Sequence, residues 1–274
     1  MKSPLAPLCE REAGGILGGV MPNLPMHLYL AYQTAERLDW GFLHDNLGSC
    51  WLGSSAPDVR AMTHWPRERT HFAPLSVEQV GQGTREMFQR HPDLADQARV
   101  SSATRAFLLG YVSHLTADEV WITTVFRPHF DHSLGEEGRA TGTQLEAHLW
   151  DRALQLDMDR RVSQAMPAFP QATAALACAE SGVSVAFFDD QVLQEWRAWV
   201  QRFLGWEFSW QRLKRAMNRM YRDNAEVQVV VDQFLEEMPR SLERVYAKIP
   251  EEKLAAYQQQ ALDMTLALAR EWLE

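Results

Sequence analysis

From Ser102 to Val125 apolar side chains occur on nearly every side of a helix instead of along one stripe. A helix of that kind must be enclosed all round, so other helices have to surround it. The rest of the chain supplies them, because spacing of 3.6 residues dominates and convincing period-2 strands are missing. Leu28, Ala31, Ala35 and Leu38 make one face of a first helix that opens with His27, and Phe42 to Trp51 reads as a second, stopping near Gly53. Ser54 to Leu75, rich in Pro, Ser, Arg and His, reads as an ordered loop. Ser76 followed by Gln79 predicts a capping box for a helix reaching Arg90. A further helix is expected from Thr143 to Val162, after which Pro167 and Pro170 break the chain. Amphipathic helices then follow on Val192, Trp196, Trp199 and Phe203, on Leu213, Met217 and Met220, and on Val227, Val230, Val231, Phe234 and Met238. Pro239 and Pro250 punctuate the pattern, and Leu254, Tyr257, Ala261, Met264 and Leu268 close it. The expectation is an all-α, single-domain helical bundle over residues 21–274. Residues 1–20 read as a poorly ordered N-terminal extension, with Met21 as an equally good natural start.

Composition narrows the function. With 46% hydrophobic residues, 10 Trp and 12 Phe in 274 residues, the chain can bury a substantial core. A net charge of −9 argues against a nucleic-acid polymer as partner, since that affinity rests on Lys and Arg neutralising phosphates. Three cysteines, Cys9, Cys50 and Cys178, suggest no disulfide framework. Glu10, Arg11 and Glu12 fall where a signal peptide needs an apolar centre, and no apolar run is long enough for a transmembrane helix. A cytoplasmic location is therefore expected, with no integral membrane segment.

Five residues carry the chemistry: His27, Asp58, His71, His114 and Asp118. His114 and Asp118 are four apart, so on a helix they project from one face, and His114 lies inside a stretch without formal charge, Phe107 to Ala117. Burying such a pair unpartnered is costly. Singly, each residue has a plainer reading: a hydrogen-bonded pair for His114 and Asp118, a turn residue for Asp58, a surface histidine for His71, a core histidine for His27. A shared divalent cation makes all five intelligible together, and imidazole with carboxylate suits Zn²⁺. Arg60, Arg67 and Arg69 lie in the same loop as Asp58 and His71 and are candidate phosphate contacts, with His64 and Trp65 as pocket lining.

The segments Met21-Pro22-Asn23-Leu24-Pro25-Met26-His27-Leu28, Gly53 to Pro57-Asp58, Thr70-His71-Phe72 and Leu109-Gly110-Tyr111-Val112-Ser113-His114-Leu115-Thr116-Ala117-Asp118 resemble, in order and spacing, the zinc-dependent phospholipase C family. That family is similar in turn to the single-strand-specific zinc nucleases. The resemblance covers residues 21–155. It implies one zinc held by Asp58, His71, His114 and Asp118, a second held by His27 and Asp118 with Asp118 bridging, and Asp58 as the group that orients or deprotonates the attacking water. The chain departs from the family twice. Secreted members begin with a Trp that binds zinc through its terminus, and here twenty-six residues precede His27. Members also hold a third zinc by a His and a later His-x3-Glu. The corresponding region here contains Glu146 and His148, with His129 and His132 upstream, so a third site would have altered spacing.

The resemblance implies hydrolysis of a phosphate ester, a phosphodiester or phospholipid head group. Two other readings compete. His27, the dipeptide His44-Asp45 and Asp118 fit the order of an HD-type phosphohydrolase, at the price of leaving Asp58, His71 and His114 idle. A non-catalytic protein with a degenerate metal site would use Trp196, Trp199, Trp206 and Trp210 as a partner surface, although at this spacing tryptophans more often form core.

Overall fold

The computed structural model describes residues 23–134, 139–165, 169–222 and 224–274, and all regular structure among them is helical. The N-terminal half holds α1 (Leu24–Leu38), α2 (Gly41–Ser55), α3 (Arg60–Thr63), α4 (Arg67–His71), α5 (Gln82–Arg90), α6 (Ser102–Trp121) and α7 (Arg127–Phe130). The C-terminal half holds α8 (Gln144–Ala165), α9 (Phe169–Ala175), α10 (Asp190–Leu204), α11 (Gln211–Met220), α12 (Ala225–Glu236), α13 (Arg240–Lys248) and α14 (Glu251–Leu273). The residues expected to form an extension, 1–20, and Pro167 lie outside the described residues.

Helix α6 is enclosed as its composition demands, with every residue from Ala106 to Trp121 buried. Ser101 starts it, its hydroxyl accepting from Thr104 N at 3.0 Å. One apolar region packs α1, α2 and the first half of α6 against α10 and the end of α14. A second packs the end of α6 against α8 and α11 to α14. Together they form one all-α domain.

Helices α2 and α6 cross unusually closely, and two glycines permit it. A Cβ on Gly53 would stand 1.9 Å from the Phe107 carbonyl oxygen, and one on Gly110 would stand 1.8 Å from that of Cys50. No side chain fits in either gap, so the two backbones touch. This contact sets the position of the functional site, because it brings the last turn of α2 against His114.

The observed elements differ from the sequence pattern in five places, the first being α9, which runs Phe169–Ala175 through Pro170 where a chain break is expected. Helix α1 begins at Leu24, with Asn23 at its N-cap and Pro25 in its first turn, so His27 lies inside the helix. The segment expected to be a loop, 54–75, is largely helical turns: a 3₁₀ turn at Ala56–Val59, then α3 and α4. Ser76 and Gln79 do not cap a helix. Helix α5 begins only at Gln82, after Gly81 takes a left-handed φ of 89°, and the carboxylate of Glu119 on α6 accepts from Gly81 N and Gly83 N. A helix start capped from 36 residues away leaves no local signature. Helix α13 occupies a stretch where only its bounding prolines stood out.

Candidate metal centre

His27 on α1, Asp58 on the 3₁₀ turn, His71 on α4, and His114 and Asp118 on α6 are brought together. His27, His71, His114 and Asp118 are at most 1% exposed, while the Asp58 side chain is 18% exposed and gives the cluster its opening to solvent. Asp118 faces different rings with its two oxygens. Its Oδ1 lies 3.4 Å from His27 Nε2, and its Oδ2 lies 3.2 Å from His71 Nε2 and 3.6 Å from His114 Nε2. Asp58 Oδ1 is 3.9 Å from His71 Nε2. The rings of His27 and His114 stack with centroids 3.7 Å apart. Among the described residues two groups place one donor atom each within 4.8 Å of one another: His27, Asp58 and His114, and His71, His114 and Asp118.

The local fold explains how the rings are aimed. The carbonyl of Ser54, in the last turn of α2, has no helical donor to receive, and His114 Nδ1 meets it at 2.8 Å. A carbonyl only accepts, so Nδ1 carries the proton and Nε2 is turned toward the cluster as the acceptor side. His71 Nδ1 lies 3.0 Å from the hydroxyl of Thr70. The Thr70 carbonyl is in turn held by Tyr111 of α6, which ties α4 to the central helix.

The donor atoms are not satisfied by the protein. His71 Nε2, His114 Nε2 and Asp118 Oδ1 are all buried without a hydrogen-bond partner. Three orphaned polar atoms converging in one place is the condition a bound cation relieves. The electrostatics agree. Burial, followed by the Arg67 guanidinium, holds His71 well below the ordinary histidine range, so the ring stays neutral and keeps an acceptor nitrogen. Burial and then His114 lower His27. Burial also opposes charge on His114 and on Asp118, yet Asp118 lifts His114 above its ordinary value, and His114 with the other rings holds Asp118 well below the carboxylate range. Asp118 is thus an anion surrounded by imidazoles that face it with nitrogen. The residues fit a divalent cation with N and O donors.

The other candidates separate sharply. Arg67 is buried at the cluster, with NH2 3.2 Å from Asp118 Oδ2 and its Nε and NH1 lacking partners. Arg60 is half-buried near Asp58, whereas Arg69 is exposed and stacks 3.5 Å over Trp65, and His64 is exposed at the end of α3. His129, His132, Glu146 and His148 belong to neither donor group. His148 Nδ1 meets the Tyr221 hydroxyl at 2.8 Å, His132 Nε2 meets Thr141, His129 Nε2 meets Lys253, and Glu146 accepts from Gly142 N at the start of α8. His44 and Asp45 are exposed on α2, where His44 pairs with Asp39, and they stand outside the cluster. Trp196 is 1% exposed and donates to Ser55, and Trp199 stacks on it, so of the four tryptophans it is Trp206 that presents a large open face.

Sequence reasoning passed over the buried charges that surround the centre. Glu119, Asp151, Arg152 and Asp159 are each at most 2% exposed. The available signal was their place within runs otherwise suited to core. No family model, curated protein or solved structure matches the chain.

Proposed function

We propose that this protein is a zinc-dependent phosphoesterase acting on a phosphodiester, either soluble or a phospholipid head group. The observation that carries the reading is the convergence of orphaned, buried imidazole and carboxylate atoms on α4 and α6 with the more open Asp58 beside them. His71, His114, Asp58 and Asp118 would hold one ion and His27 with Asp118 a second, consistent with Asp118 directing its oxygens at different rings. Bound zinc supplies Lewis acidity, lowering the pKa of a water and offsetting charge on phosphoryl oxygens. Asp58, the one donor with solvent access, orients that water and receives its proton at a carboxylate oxygen. Arg67, whose Nε and NH1 have no hydrogen-bond partner, contacts the phosphoryl oxygens. The buried apolar wall of α6 excludes bulk solvent from the far side.

The test is elemental analysis of the purified protein with turnover of a generic phosphodiester. About two zinc ions per chain are expected, and His114→Ala loses metal and turnover together. A His114→Ala protein that keeps its full zinc overturns the assignment.

A further inference from the structure

Arg152, on α8, is 1% exposed, and its charge is poorly matched by its surroundings. Its NH1 donates to two neutral amides, Asn23 Oδ1 at 3.3 Å and Gln155 Oε1 at 2.9 Å. Its Nε and NH2 are buried with no hydrogen-bond partner. A buried guanidinium with neither a paired carboxylate nor filled donors is costly, and apolar residues of similar volume commonly replace such groups without loss.

Its neighbours place it at the candidate centre. Asn23, which it bonds, caps α1, and the Asn23 carbonyl receives His27 N at 3.2 Å. Asp151, next to it in sequence, receives the indole N–H of Trp121 at 3.1 Å, three residues beyond Asp118 on α6. Arg152 therefore sits where α8 meets α1 and α6 at the level of His27 and Asp118. Burial opposes its charge, which is supported first by Asp151 and Asp159 and then by Asp58 and Asp118 of the centre, and it acts in turn on His148 one turn earlier on α8. Once Asp58 and Asp118 neutralise divalent cations, their share of that support is lost, and Asp151 and Asp159 are left to balance the guanidinium.

We infer that Arg152 is a binding residue for a tetrahedral oxyanion, its free Nε and NH2 taking a phosphoryl oxygen of the ligand held at the centre. This rests on the phosphoesterase reading and adds a second buried guanidinium to Arg67. Planar guanidinium donors suit phosphate geometry, and two of them around one anion favour a phosphodiester over a neutral ester.

The experiment measures inorganic phosphate binding by calorimetry on zinc-loaded and chelator-stripped protein, for wild type, Arg152→Met, Arg152→Lys and the exposed control Arg99→Gln. Arg152→Met is expected to keep its zinc, to melt in phosphate-free buffer no lower than wild type, and to bind phosphate about tenfold more weakly or worse. Arg99→Gln is expected to match wild type. Wild-type phosphate affinity in Arg152→Met, or no phosphate binding by wild type in either metal state, overturns the inference. If Arg152→Met does not fold, Arg152→Lys decides: it keeps the charge and loses the fork, so weaker phosphate binding supports the inference and unchanged binding overturns it. Absence of zinc with phosphate binding that depends on Arg152 would remove the metal reading and leave this one standing. Full zinc with phosphate binding indifferent to Arg152 does the reverse.

Discussion

Asp118 and Asp157 are both buried aspartates on long helices, and their surroundings are opposite. Asp157 is fully buried, yet its Oδ1 accepts from Arg160 Nε and NH2, and its Oδ2 accepts from Arg161 Nε and the Tyr246 hydroxyl, all within 2.9 Å. Asp118 is 1% exposed, receives one guanidinium N–H at 3.2 Å, and leaves Oδ1 without a hydrogen bond while three imidazoles crowd it. A carboxylate that the chain satisfies itself is part of the fold. One that the chain surrounds with nitrogen acceptors and leaves short is arranged for something the chain does not contain.

Substituting both tests that contrast most strongly. Asp118→Asn is expected to drop below one zinc per chain and to lose phosphodiester turnover by about 10³-fold or more. Asp157→Asn should keep zinc and turnover and lose about 2 kcal/mol of stability, because its arginine partners are partly exposed and regain water. Equal zinc loss in both variants, measured by elemental analysis, would erase the distinction. Within the centre, Asp58→Asn sharpens it further. Turnover should fall by about 10²- to 10⁴-fold while more than half of the zinc stays, since the other four donors are deeper. Retained turnover would move the proton-accepting role elsewhere.

How much of this could be read from the chain follows from distance along it. The all-round apolar helix and the i, i+4 pair His114–Asp118 are local patterns, and α6 realises both. His27, Asp58 and His71 were legible as ligand types in suggestive places, but their meeting depends on how α1, α2 and α4 lie against α6. The cap of α5 was misread because its acid, Glu119, belongs to another helix. Arg69 and His64 were grouped with Arg67 by loop membership, yet the turns of α3 and α4 send Arg67 inward and leave the other two exposed. Arg152 gave only the weak signal of its place in a run suited to core, since burial of a charged residue on a helix is set by what packs over it.

The glycine contact between α2 and α6 offers a test that is structural in origin and chemical in readout. Gly110→Ala places a methyl group 1.8 Å from the Cys50 carbonyl, so the helices must separate. Overpacking of this kind costs about 3 kcal/mol. The same separation withdraws the Ser54 carbonyl from His114, a partner whose loss lowers metal affinity by about 10- to 100-fold. Gly41→Ala, with open space around it, should do neither. A destabilised Gly110→Ala protein with unaltered zinc affinity would show that Ser54 does not orient the ring.

A third buried aspartate defines the middle of the comparison. Asp159 is 2% exposed and its Oδ1 has no hydrogen-bond partner; the nearby Asn23 side chain and Met26 N favour its anion but do not offset burial. No imidazole is among the groups acting on it, and burial pushes its carboxyl up to about 7. Asp159 therefore resolves its isolation with a proton, whereas Asp118, held well below the carboxylate range, cannot. The unfolded chain releases that proton near 3.8, so between there and about 7 the folded state holds one proton more. Folding stability then declines as pH rises through this window and levels off above it, with a slope of about 1.4 kcal/mol per pH unit. Asp151, raised by burial to about 6, contributes a similar slope that ends earlier. In the last stretch, from about 6 to 7, Asp159 contributes together with Glu119, which burial also raises to about 7. Urea melts at fixed pH should show that stretch flattened in Asp159→Asn relative to wild type. An unchanged slope would mean that Asp159 is ionised in the folded protein, in which case an orphaned buried carboxylate oxygen does not by itself distinguish a proton site from a cation site.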